Sequence, residues 1–138
     1  MFFPFLLAAT LVADSMTLEL SLPDHVRLGK PVPITLRVTN HGTAPATLYL
    51  RGRPIAFDII VTGARDKVVW RRLEGAITSM VLQVRQLAPN ETLSFEATWG
   101  QRTNAGAPVP PGRYHVKGQV LTDGTPLETA TVLLRITR

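Results

Sequence analysis

The sequence predicts an all-β chain: an immunoglobulin-like antiparallel β-sandwich of about eight or nine strands with no disulfide. Three observations carry this. Apolar and polar residues alternate in short runs, the period of a strand with one buried face. Turn signals rich in Gly, Pro, Asn and Asp return at intervals of about 8 to 12 residues. No 3.6-residue apolar stripe of useful length survives the 11 prolines, which break helices. A closed barrel is the alternative arrangement of the same strands.

The elements follow in order. Leu18, Leu20 and Leu22 alternate with Thr17, Glu19 and Ser21, a first strand ended by the turn formers Pro23-Asp24. In the second, Val32, Ile34, Leu36 and Val38 face in while Thr35, Arg37 and Thr39 face out. Pro31 and Pro33 at its start require amides without a ladder partner. Asn40-His41-Gly42 ends it, with Asn and Gly suited to a positive φ. Ala46 to Leu50 is a short strand broken by Arg51-Gly52-Arg53-Pro54. Phe57 to Arg71 reads as a hairpin: Phe57, Ile59 and Val61 in, Asp58 and Ile60 out, then Val68 and Trp70 as the next inward pair. Leu73 to Thr78 has no period and reads as a loop. Met80, Leu82 and Val84 resume alternation up to Leu87.

Pro89 to Val120 organises the rest. Leu93, Phe95, Ala97 and Trp99 alternate on one strand, and Tyr114, Val116, Gly118 and Val120 on the next. Trp99 and Tyr114 can meet beneath the Pro/Gly loop between them and anchor its ends; Trp70 and Trp99 are read as core residues. Asp123-Gly124 turns the chain into a last strand, Leu127 to Ile136, with Ala130, Val132, Leu134 and Ile136 inward.

A chain of 138 residues is long enough for one domain with its own core, placed at 14–138. The apolar run 2–13 is too short to span a membrane. Its length suits the core of a signal peptide, with Leu11-Val12-Ala13 as a cleavage site, although no Lys or Arg precedes it. The expected location is therefore the periplasm or cell envelope. The alternatives are cytoplasmic translation from Met16, or an additional packed strand. Cysteine is absent, which removes thiolate chemistry and disulfides but selects no compartment.

Lys and Arg number 15 against 10 Asp and Glu, a net charge of +5. The excess favours acidic partners. Arg51, Arg53, Arg65, Arg71, Arg72, Arg85 and Arg102 are scattered and are not interleaved with aromatics as a base-stacking platform requires, so no nucleic acid is expected. His25, His41 and His115 have no metal-site spacing. No serine lies in a Gly-x-Ser-x-Gly turn, and Asp58 and Glu96 do not read as an acid/base pair. No catalytic residue, metal or cofactor is expected, and a monomer is assumed.

The loop Gly100 to Gly112 is long for a compact domain, and loops of that length are disproportionately functional. Pro108, Pro110 and Pro111 hold it extended, which lowers the entropy lost on binding. Arg102, Asn104 and Pro108 are its candidate partner-binding residues, with Arg102 as a specificity residue. Arg51 and Arg53 are those of the Arg51–Pro54 turn. Structurally, the same prolines would simply steer a strand crossover.

Phe57-Asp58 followed by Gly63, then Val69-Trp70-Arg71, Leu87-Ala88-Pro89-Asn90-Glu91, Trp99, and Val109-Pro110-Pro111-Gly112-Arg113-Tyr114 resemble the BsuPI-type intracellular proteinase inhibitor domain. The resemblance covers about Val32 to Val120. It implies an immunoglobulin-like sandwich and, for the founding type, inhibition of a bacterial intracellular serine protease. Asn90 stands where the family usually has a turn glycine. Two functions are therefore expected in turn: a protease inhibitor acting through an extended loop or strand addition, or a non-inhibitory protein-interaction module of the cell envelope.

Overall fold

The computed structural model describes residues 16–138; the apolar run at 2–13 lies outside them. Eleven strands follow one another: β1 (Met16–Ser21), β2 (His25–Arg27), β3 (Val32–Asn40), β4 (Ala46–Arg51), β5 (Phe57–Thr62), β6 (Val68–Arg71), β7 (Leu82–Leu87), β8 (Thr92–Trp99), β9 (Gly112–Val120), β10 (Leu127–Glu128) and β11 (Val132–Thr137). One sheet has the order β1-β3-β8, and the larger one β2-β11-β9-β5-β6 with β10 beside β9. A separate ribbon pairs β4 with β7. All pairings are antiparallel except β2 with β11, which is parallel. No helix among the described residues is long and apolar enough to cross a membrane.

The strand count exceeds the expected eight or nine for two local reasons. β2 is three residues long, too short to show a period. The expected Leu127–Ile136 strand is interrupted at Thr129, whose buried hydroxyl accepts from the Gly118 amide and donates to the Ala130 carbonyl. That interruption turns Ala130 outward, against the inward position expected of it.

The core lies between the two larger sheets. Val32, Ile34, Leu36 and Val38 of β3 meet Ile59 and Val61 of β5, Val116 and Val120 of β9, and Leu134 of β11, all at most 2% exposed. Gly118 lets the sheets approach: a Cβ there would lie 3.1 Å from Leu36 Cδ1 and 3.2 Å from Leu20 Cδ1, tighter than ordinary packing. Phe57 and Phe95 close the layer with ring centroids 5.0 Å apart.

β5 departs from the expected alternation. It lies inside its sheet, between β9 and β6, and is covered on both faces, so Asp58 and Ile60 are buried along with Phe57, Ile59 and Val61. Asp58 is thus not an outward residue. Its carboxylate takes Arg71 at 3.1 Å and the Leu73 amide at 3.0 Å, holding the 72–78 loop against the outer sheet face. The next residue, Arg72, lays its guanidinium 3.8 Å from the Phe57 ring centroid and donates to the Phe57 carbonyl. Desolvation there lowers the pKa of Arg72, partly opposed by the Asp58 charge. β6 is an edge strand, and this leaves Val68 exposed and Trp70 half-buried rather than forming an inward pair.

Asn40 is also more than a turn former. It is fully buried, and its side chain donates to the Ala44 and Leu87 carbonyls and accepts from the Gly42 amide. Neither Asn40 nor Gly42 has a positive φ. Asn90 does, at 68°, the conformation a turn glycine would adopt freely.

Tyr114 donates its hydroxyl to the Pro110 carbonyl four residues upstream. This is the tyrosine corner of immunoglobulin-like sandwiches. Burial raises the pKa of the phenol. The folded chain therefore keeps a proton that the unfolded chain releases near pH 10. The stability this contributes is complete below about pH 10 and is lost as the pH rises through the raised folded value. Tyr114→Phe is expected to cost about 1 kcal/mol at pH 7 and to flatten this alkaline loss, read from urea melts at pH 7 and at about pH 11.

Candidate partner-binding loop

The connection from β8 to β9 is built on an aromatic base. Trp99 is 1% exposed and stacks on Trp70 at 6.2 Å, while its edge meets Tyr114 at 5.8 Å. The two anchors expected at the loop ends therefore touch. The indole Nε1–H donates to the Arg102 carbonyl at 2.9 Å, so the loop's first turn is fixed by a core residue.

Beyond that base the loop folds back on itself. Arg102 bridges Pro108, the Val109 amide donates to the Gln101 carbonyl, and the Thr103 amide donates to the Ala107 carbonyl. Gly106, at φ 92°, makes the reversal. Val109 turns inward and is buried, while Pro108 and Pro110 stay exposed. Arg102 is exposed, and its Nη1 donates to the Gly106 carbonyl at 2.8 Å.

Two side chains tie this small hairpin to the sandwich. Asn104 Oδ1 accepts from the Arg71 amide at 2.8 Å, and its Nδ2 donates to the Arg71 carbonyl at 2.9 Å. The side-chain amide thus pairs with β6 as a neighbouring strand would. Gln101 is 2% exposed; its Nε2 donates to the Arg27 and Lys30 carbonyls, and its Oε1 accepts from the Gly29 amide. Its backbone is left-handed, at φ 59°, a conformation that costs a non-glycine residue about 1 kcal/mol. Gln101 carries no period and belongs to no motif quoted from the sequence, and nothing in the sequence singles it out.

Arg51 and Arg53 sit elsewhere. Their turn leads through Ala56 into Phe57, which pairs with Val120, whereas the 100–112 loop feeds Gly112 at the other end of β9. The nine residues of β9 separate the two places by about 25–30 Å. Buried Gly52, at φ 94°, shapes the turn: its amide donates to the Val81 carbonyl, and its carbonyl accepts from Gln83 Nε2. Arg51 is half-buried and Arg53 exposed. Neither has a carboxylate partner among the described residues. Arg102, Asn104 and Pro108 thus lie together on one loop, with Arg51 and Arg53 at the opposite end of β9. Among the described residues no three His, Cys, Asp or Glu side chains could hold a metal.

Sheet order, tyrosine corner and a hydrogen-bonded β8–β9 loop define the class: an immunoglobulin-like β-sandwich. The family is the intracellular proteinase inhibitor family BsuPI, which matches residues 18–125, and the chain belongs to it. It is a proteinase-inhibitor-like domain, and its family implies a protein partner. No curated protein matches the chain in sequence. Among solved structures it is similar to the alkylpurine DNA glycosylase AlkC of Pseudomonas fluorescens, at 13% identity and TM-score 0.49, covering 90% of this chain and 31% of that one. The CARDB domain of PF1109 from Pyrococcus furiosus is similar at 15% identity and TM-score 0.48, with 89% and 94% covered. A β-glucosidase from Listeria innocua is similar at 10% identity and TM-score 0.47, with 89% and 16% covered. The chain therefore spans about a third of the glycosylase and about a sixth of the glucosidase.

Proposed function

We propose that this chain inhibits a serine protease by placing the 100–112 loop in the enzyme's active-site cleft. The observation that supports this reading is the loop's order before any partner arrives. Asn104, Gln101 and Trp99 each hold it to the sandwich by side-chain hydrogen bonds. A loop already held loses little conformational entropy on binding. Its exposed tip, Asn104 to Ala107, is built of small residues that a narrow cleft can admit. Arg102 stands beside the tip as the specificity residue.

The test is titration of the purified protein against subtilisin-type and trypsin-type proteases. Stoichiometric loss of activity is expected. Deleting residues 104–108 should abolish it while the circular dichroism spectrum stays that of a β protein. Asn104→Ala removes the clip and leaves the aromatic base, so inhibition is expected to weaken about tenfold, equivalent to about 1.4 kcal/mol. Full inhibition by the deletion variant would exclude this loop. Inactivity against every protease tried would leave the second reading, a non-inhibitory interaction module of the cell envelope. The mature N-terminus, read by mass spectrometry from the native host, separates an exported protein from one translated from Met16.

A further inference from the structure

β7 turns most of its apolar side chains outward. Two of its three apolar residues face water: Leu82 is 48% and Val84 62% exposed, whereas Gln83 and Arg85 on the other face are half-buried and only Leu87, at its end, is buried. Tyr49 of β4 lies directly opposite Val84 and is 50% exposed. Met80, 78% exposed, precedes Leu82 at the same alternation. These four residues leave on the order of 400 Å² in water, within the range of the largest patch on a typical monomer. That approaches the apolar share of the roughly 800 Å² that each partner contributes to a standard homodimer interface.

On its outward face β7 carries little of the usual protection against association; its one charge, Arg85, points inward. It pairs only with β4 among the described strands, and its sequence LQVRQL has no proline and places no lysine on the outward face. Charge on this face is arranged in rows. Arg51 lies opposite Leu82, Tyr49 opposite Val84, and Thr47 opposite Gln86. A two-fold axis across the strands through the middle row lays Arg51 of one copy over Thr47 and Gln86 of the other. The two Arg51 side chains are then four residues apart along the strand, about 13 Å, beyond the Debye length of about 8 Å at physiological salt. The face is therefore self-complementary in the sense that an isologous interface requires.

We infer that the outward face of the β4–β7 ribbon, centred on Tyr49, Leu82 and Val84, is where a second copy of this chain docks to form a two-fold dimer. This surface is distinct from the 100–112 loop and does not depend on protease inhibition. Sedimentation equilibrium from about 1 to 500 μM tests it. The parent protein should move from monomer to twice that mass with a dissociation constant in the micromolar range, and association should persist at 0.5 M NaCl because it is driven by apolar burial. Val84→Lys and Tyr49→Ser, both at exposed positions, should each weaken association at least tenfold, while Thr98→Lys on β8 should leave it unchanged. A monomer at every concentration overturns the proposal. So does a dimer that Val84→Lys and Tyr49→Ser leave intact, or association that salt abolishes, the mark of an acidic partner surface.

Discussion

Replacing Gln101 by alanine is expected to lower stability by about 3 kcal/mol, a fall of roughly 10 °C in melting temperature. The side chain is 2% exposed and makes three hydrogen bonds, all to the backbone of the β2–β3 turn. Alanine leaves the Gly29 amide and the Lys30 carbonyl without partners at the margin of the core, where water reaches them incompletely, and leaves the Arg27 carbonyl with the Lys30 amide alone. It also keeps the left-handed backbone without the bonds that hold it there. Gln101→Gly loses the same bonds but is free of that conformational cost, so it should be about 1 kcal/mol more stable than Gln101→Ala. Urea melts of the three proteins give both differences. If the two variants were equally stable, the backbone at 101 would not be held strained by its side chain. In either variant the base of the 100–112 loop loosens, and the inhibition we propose for that loop should weaken along with stability.

The alternating strands were readable because burial of one face is written into every second residue. β3, β8 and β9 appear where Ile34, Phe95 and Val116 mark their inner faces. What periodicity does not carry is the side on which the protein lies. Leu82 and Val84 alternate as cleanly as Leu36 and Val38, yet the first pair faces water and the second the core. A strand covered on both faces defeats the rule in the opposite sense, and Asp58 was read outward for that reason. Of the loop, length and prolines were legible, and so was the meeting of Trp99 with Tyr114. The side chains that order it were only half so. Asn104 was a candidate for touching a partner, whereas its amide is already engaged by Arg71. Gln101 had no signal at all, because a polar residue that pairs with distant backbone leaves no local pattern.

The second large effect is expected at Asp58 and Arg71. The carboxylate is 4% exposed, and one oxygen takes both Arg71 Nε at 3.2 Å and Nη2 at 3.1 Å, while the other takes the Leu73 amide. Arg71→Ala leaves a buried charge with one backbone donor. Removing a partner from a fully buried pair costs about 3–5 kcal/mol, and because the Arg71 side chain is 42% exposed solvent screening reduces this to about 2. Asp58→Ala should cost about 3 kcal/mol, since it also releases the Leu73 amide and with it the 72–78 loop. The double variant should cost little more than Asp58→Ala alone, because with the carboxylate gone Arg71 has nothing left to compensate, a coupling of about 1–2 kcal/mol. Strict additivity would show that the pair does not act as a unit. The consequence reaches the loop by one residue. The backbone amide and carbonyl of Arg71 are the two groups that Asn104 clasps, while its side chain is held by Asp58. Asp58→Ala should therefore speed hydrogen exchange at the Arg71 amide and leave the amides of β3 protected. Unchanged exchange at Arg71 would mean that the clip holds β6 without help from the buried carboxylate.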